Sequence, residues 1–185
     1  MRSLTTFCDS LLIALFFIVT PAGAGEKEIL STVDEASGRC RLVSQKLFDY
    51  KELGQQEFKS SALLTEELTA LGFQVTRNLN VPEDLVKGGV ARTAFRAELQ
   101  GKGPGPTVTI MLEYDALQNG HSCGHNLIAA AGAGAGIAAR PAVDHCAGQL
   151  TVIGTPAEEL YGGKAMMADK GLFRNLDIAM MVHPG

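Results

Sequence analysis

Apolar residues recur along this chain with two periods, one helical and one of strand type. In the first half, Ile29, Leu30, Val33 and Ala36 fall at helical spacing and predict a helix over Glu26–Leu47, although Gly38 weakens its middle. Glu52-Leu53-Gly54 marks a turn. A second amphipathic helix is expected over Ser60–Leu71, with Leu63, Leu64, Leu68 and Leu71 on one face and Gly72 as its stop. Alternation over Phe73–Thr76 predicts a strand, and Val81–Gly89, with Pro82 and a glycine pair, predicts a loop.

The second half reads as strands alternating with helices. Thr93–Leu99 is an expected strand, and the Gly- and Pro-rich stretch Gln100–Pro106 looks like a hairpin connection. Thr107–Leu112 is a near-continuous apolar run, the pattern of a strand buried on both faces. Leu127–Arg140 is helical and rich in Ala and Gly, which suits close packing on a sheet, and Pro141 ends it. Gln149–Gly154 is another buried strand, Gly163–Gly171 a short helix, and Asp177–Val182 a third buried strand. The order implies an α/β fold: a mixed, largely parallel sheet flanked by helices, with right-handed crossovers.

Composition narrows the class. The 185 residues are 46% hydrophobic and 19% charged, which is globular, and the net charge of -4 offers no footprint for nucleic acid. Ahead of the fold, Arg2 is followed by the apolar run Leu11–Val19, then Pro21 and Ala22-Gly23-Ala24. That is the order of a secretory signal, too short for a bilayer span of about 20 residues. Residues 1–24 are therefore expected to direct export to a periplasm or the exterior and to be cleaved after Ala24, leaving no stable membrane span, and the length of 25–185 suits one domain or one and a piece of another. Of the four cysteines, Cys8 leaves with the signal, and the remaining odd number argues against a full disulfide framework. A Cys40–Cys146 bridge stays open.

Three polar clusters each follow an expected strand. They are Glu113-Tyr114-Asp115 leading to His121-Ser122-Cys123-Gly124-His125-Asn126, then Glu158-Glu159, then His183. In open α/β sheets ligands bind beyond the carboxyl ends of the strands, so parallel neighbouring strands would set all three on one rim. A thiolate, two imidazoles and a carboxylate suit zinc or a neighbouring divalent ion. Cys123 and His125 lie two apart at the start of a helix, where backbone N–H groups favour a thiolate. Asp115 can take the free ring N–H of a ligand histidine. Glu158 and Glu159 are adjacent and should divide two tasks, one binding metal and the other taking a proton from water that the metal acidifies.

Glu113-Tyr114-Asp115-Ala116-Leu117 and Gly120-His121-Ser122-Cys123-Gly124-His125-Asn126-Leu127-Ile128 resemble the metal-binding signature of the M20 peptidase/amidohydrolase family. Thr155-Pro156-Ala157-Glu158-Glu159, Gly162-Gly163-Lys164 and Met181-Val182-His183-Pro184-Gly185 resemble its next blocks in order and spacing. The wording is most similar to the PM20D2-like and aminobenzoyl-glutamate hydrolase branch, and the resemblance runs over about residues 29 to 185. It implies a zinc-peptidase-like catalytic domain and metal-dependent hydrolysis of the amide in small N-acyl amino acids or dipeptides, with two Zn²⁺ or Mn²⁺ ions. By position it implies Cys123, His125, Glu159 and His183 as metal ligands, Glu158 as general base and Asp115 as an orienting group. It also implies that the family's last ligand histidine and its lid domain, through which a homodimer forms, lie beyond Gly185. Gln118 departs from the family's usual proline.

Three other readings compete. A cysteine enzyme would use Cys123 as nucleophile with His125 as base, an awkward pairing at that spacing. A shortened, inactive exported protein would bind metal without turnover. Nucleotide binding through Gly132-Ala133-Gly134-Ala135-Gly136 would need those glycines in a strand-to-helix turn, whereas they fall within a helix, where close packing explains them.

Overall fold

The computed structural model describes residues 23–79 and 92–184. The expected export segment, apart from its last two residues, and the expected loop at Val81–Gly89 lie outside the described residues. The chain runs through α1 (Gly23–Tyr50), α2 (Phe58–Ala70), β1 (Gln74–Arg77), β2 (Phe95–Gln100), β3 (Thr107–Leu112), α3 (His125–Ala138), α4 (Arg140–Val143), β4 (Gln149–Gly154), α5 (Glu158–Tyr161), α6 (Gly163–Asp169) and β5 (Ile178–Met180). Helix α1 passes through Gly38 unbroken. Helix α2 is held at its start by the Glu52 carboxylate, which accepts the amides of Lys59 (3.0 Å) and Ser60 (2.8 Å). These amides have no intrahelical partner of their own.

The five strands form one mixed sheet in the order β1-β2-β4-β3-β5. Strand β4 is parallel to β3 and β3 is parallel to β5, while β1–β2 and β2–β4 are antiparallel. The fold is thus the expected mixed α/β sheet, but two details differ. Residues 100–106 do not make a hairpin, because β4 inserts between β2 and β3. The glycines there instead let the chain cross the start of β4: Gly101 N–H donates to Gly148 O (2.9 Å), Lys102 N–H to Cys146 O (2.8 Å) and Gly148 N–H to Gly103 O (2.9 Å). The last strand is three residues long and exposed rather than buried, since it lies at the sheet edge with β3 on one side.

The main core joins α1, α2 and α3 to the sheet. Leu47, Leu64, Leu68, Phe95, Leu112 and Val152 are fully buried within it. The Ala- and Gly-rich sequence of α3 lets it approach both neighbours. A Cβ on Gly132 would meet Leu112 Cδ2 at 2.2 Å, and one on Gly134 would meet Cys40 Sγ of α1 at 2.5 Å. The glycines are therefore packing devices, as their helical position implies. Cys40, Cys123 and Cys146 are all free, so the open Cys40–Cys146 pairing is not made; Cys40 faces Gly134 instead. None of the helices among the described residues is long and apolar enough to cross a membrane.

This packing is directly testable. Gly134→Ala gains helix propensity of up to about 1 kcal/mol but overpacks the α1–α3 contact, an effect of about 1–3 kcal/mol. The substitution should lower the denaturation midpoint alone and become neutral or stabilising in a Cys40→Ala background. Additive effects in urea titrations of the double-mutant cycle would refute the contact.

Candidate metal centre

Because β4, β3 and β5 are parallel neighbours, the segments that follow them emerge at the same edge of the sheet. After β3 come Glu113, Tyr114 and Asp115, the first and third nearly inaccessible at 2% and 1% exposure. Tyr114 anchors the segment in the core, its hydroxyl donating to Thr93 O at 2.7 Å. Ala116 N–H donates to Glu52 O (2.8 Å), and Leu53 bridges to Ala116, so the Glu52-Leu53-Gly54 turn pins the loop. The chain then returns to start α3 at His125. Gly124 makes that return possible: its φ is +76°, and a Cβ there would lie 3.0 Å from the Pro184 ring.

His125 is buried and aimed by Asp115. Its Nδ1 lies 2.9 Å from the Asp115 carbonyl and 3.0 Å from Asp115 Oδ1. Both are acceptors, so Nδ1 carries the proton and the lone pair is on Nε2. Burial opposes the charged imidazolium, but Asp115 and then Glu159 outweigh it and the His125 pKa is raised. Burial likewise pushes Asp115 up, and the His125 hydrogen bond with the Glu159 and Glu158 amides brings its pKa below the ordinary value. Asp115 Oδ2 accepts the Glu159 amide at 3.0 Å, so one carboxylate holds two of the clusters together.

Glu158 and Glu159 open the single-turn α5 after Ala157, which sits in the left-handed region at φ 58°. Sequence reasoning missed what holds this turn: the Ala157 amide donates to Oε1 of Glu57 at 2.7 Å. Glu57 is fully buried, and its Oε2 accepts from Thr93 Oγ1 at 2.9 Å. Burial raises its pKa to about 7.

Ligand atoms of His125, Glu158 and Glu159 lie within 4.8 Å of one another, and so do those of Glu113, His125 and His183. His183 is half exposed, its ring edge-on to His125 with centroids 6.0 Å apart. Cys123 is half-buried and hydrogen-bonds with Glu159, but unlike the other expected ligands it falls outside both groups. The expectation of a favoured thiolate is corrected here. With no cation bound, a hydrogen bond to Glu159, then burial and the neighbouring carboxylates, push the Cys123 thiol above its ordinary pKa. His125 Nε2 and Glu113 Oε2 are buried 3.3 Å apart with no hydrogen-bond partner among the described residues. Two unpaired acceptors at that separation fit a shared cation, and a set of imidazole and carboxylate groups suits a divalent metal ion. Glu113 and its Lys164 partner were the other groups without an assigned role; their ion pair joins the β3 end to α6.

The chain is 35% identical over 182 residues to the Xaa-Arg dipeptidase of Mus musculus, covering 88% of this chain and 40% of that protein. It is 32% identical over 184 residues to a p-aminobenzoyl-glutamate hydrolase polypeptide of Escherichia coli, covering 85% of this chain and 36% of that protein. The chain thus spans about 40% of the length of the curated relatives it matches. Among solved structures, an aminobenzoyl-glutamate utilization protein from Klebsiella pneumoniae superposes with a TM-score of 0.68 at 19% identity, over 85% of this chain and 46% of that one. A dinuclear metal binding peptidase of Bacillus subtilis superposes with a TM-score of 0.66 at 22% identity, over 77% of this chain and 41% of that one. These last two likenesses establish the fold. No protein-family model matches the chain.

The buried Glu57 predicts a pH dependence. Its folded pKa of about 7 exceeds the unfolded value of 4.5, so the native state binds the proton more tightly. The associated stability is fully present below pH 4.5 and is lost as pH rises through about 7, at up to about 1.4 kcal/mol per pH unit. Denaturant titrations of Glu57→Gln should show a flatter pH dependence than the parent between those limits. Parallel curves would mean Glu57 titrates normally.

Proposed function

Because the chain belongs to the M20 family of metal-dependent peptidases and amidohydrolases, we propose that it supplies part of the catalytic domain of an amide hydrolase. The substrate class is a small N-acyl amino acid or dipeptide, in keeping with the dipeptidase and aminobenzoyl-glutamate hydrolase names of its relatives. The observation that carries this reading is the convergence of His125, Glu158 and Glu159 around the Asp115 carboxylate at the strand ends.

In this reading His125, Glu159, His183 and Cys123 hold two divalent ions, zinc or manganese. Such ions, when bound, act as Lewis acids toward a carbonyl and lower the pKa of water. Asp115 keeps the proton of His125 on Nδ1 and so leaves Nε2 free to bind. Glu159 is fixed through its own amide by the same Asp115, which leaves the Glu158 carboxylate next to it to accept a proton from the attacking water and pass it to the leaving amine. The Ala157 turn, tied to Glu57, sets the direction in which Glu158 projects. Cys123 is a poor nucleophile as long as Glu159 holds its thiol protonated, which counts against a metal-free cysteine mechanism.

The natural protein should hydrolyse N-acyl amino acids or dipeptides when supplied with Zn²⁺ or Mn²⁺ and lose that activity to a chelator. Glu158→Gln should keep its metal content and lose about 10²–10⁴-fold in turnover, the usual worth of a general base. Cys123→Ala should lower the metal content instead. Near-normal turnover in the first variant removes Glu158 as base, and an unchanged metal load in the second removes Cys123 as ligand.

Export completes the reading, with residues 1–24 as a signal cleaved after Ala24. Amino-terminal sequencing of the natural product should begin at Gly25, and a product that retains the Leu11–Val19 run would contradict it.

A further inference from the structure

We propose that Glu113 is an additional ligand of this metal centre, its Oε2 sharing one cation with His125 Nε2 and His183 Nε2 while Lys164 holds its other oxygen. The inference rests on the metal-centre reading above and adds a donor to it.

Three observations carry it. First, Glu113 is buried to 2% exposure, and its Oε2 has no hydrogen-bond partner among the described residues, although a buried carboxylate oxygen without one is costly. Second, that oxygen faces His125 Nε2 at 3.3 Å and His183 Nε2 at 3.8 Å. In the neutral His125 ring Asp115 fixes the proton on the opposite nitrogen, so the 3.3 Å contact then sets a lone pair against a carboxylate oxygen. The two repel unless a proton on Nε2 or a cation lies between them, and a divalent cation can satisfy His183 Nε2 as well. Third, the separations suit an ion: donors placed tetrahedrally at about 2.1 Å from one zinc lie about 3.4 Å apart.

Lys164 explains why only one oxygen is offered. Its ammonium pairs with Glu113 Oε1, which directs Oε2 alone toward the histidines and makes Glu113 a single-oxygen donor. The pair also offsets part of the negative charge that Glu113, Asp115, Glu158 and Glu159 bring to one place.

Cobalt(II) reports on this directly, because its d–d absorption depends on the donor set. The natural protein is stripped of metal and titrated with Co²⁺ by calorimetry and visible absorption, alongside Glu113→Gln. The expected result is at least about a tenfold loss of affinity at one of the Co²⁺ sites and an altered d–d spectrum, with an unchanged circular dichroism spectrum of the metal-free protein. Should Glu113→Gln fold poorly, Glu113→Asp keeps the charge, shortens the reach and is judged by the same two signals. Parent-like affinity and spectrum in a folded variant would overturn the Glu113 assignment and leave the rest of the centre standing. A parent protein that takes up no Co²⁺ would overturn both.

Discussion

The site depends on the Asp115 carboxylate. One oxygen receives the ring proton of His125 and the other receives the amide of Glu159, so two segments separated by more than thirty residues are tied to one group. Burial alone would favour the neutral acid, but the hydrogen bonds outweigh it and keep Asp115 ionised. The ionised Asp115 side chain and its own backbone carbonyl together select the His125 tautomer, and that tautomer presents Nε2 to Glu113, Glu159 and His183. Losing this carboxylate would leave the ring proton to the Asp115 carbonyl alone and the α5 turn to Glu57 alone.

Asp115 can act this way because the scaffold behind it is tight. Strand β3 lies between β4 and β5, so its exit point is flanked on both sides by parallel neighbours. Helix α3 must sit close to the sheet for His125, in its first turn, to reach back to Asp115. The contacts of Gly132 with Leu112 and of Gly134 with Cys40 set that closeness, since any larger side chain would push the helix outward. Glu57 and Glu52 play similar parts on the α2 side, one holding the Ala157 turn and the other both the α2 start and, through its carbonyl, the Asp115 loop. The metal centre and the core are therefore not separable: the carboxylates that shape the loops also tie them to the helices.

Much of this is legible in the sequence, and the rest is hidden for physical reasons. Strands β3 and β4 announce themselves as apolar runs because both faces of a central parallel strand are covered. The grouping of polar residues after those runs follows from the direction of parallel strands. Strand order does not: that β4 inserts between β2 and β3 depends on contacts about 40–60 residues apart in the chain, and the Gly-Pro segment before β3 carries the same local signal in a hairpin as in a crossing. The sequence around Ile178 looks buried because a short edge strand in an α/β fold can be as apolar as a central one. Glu57 gives no local signal either, since the amide it receives lies 100 residues onward. Glu113 was visible within a polar cluster, but its ion pair with Lys164 could only be seen once α6 was placed.

The concentration of negative charge explains why the Cys123 thiol departs from the expectation set by its helix position. A helix N-terminus contributes roughly half a positive charge spread over several amides. Glu159 stands in direct contact with the thiol, and Glu158 and Asp115 add to the same field, so whole charges at short range prevail over a diffuse partial one. The same comparison governs the centre as a whole. Lys164 balances one carboxylate, which leaves net negative charge converging on Nε2 of His125. Divalent cations relieve that repulsion more completely than protons do, because each carries two charges and accepts several donors at once. The arrangement of acids that makes the metal-free centre costly is, on this argument, what gives it affinity for metal.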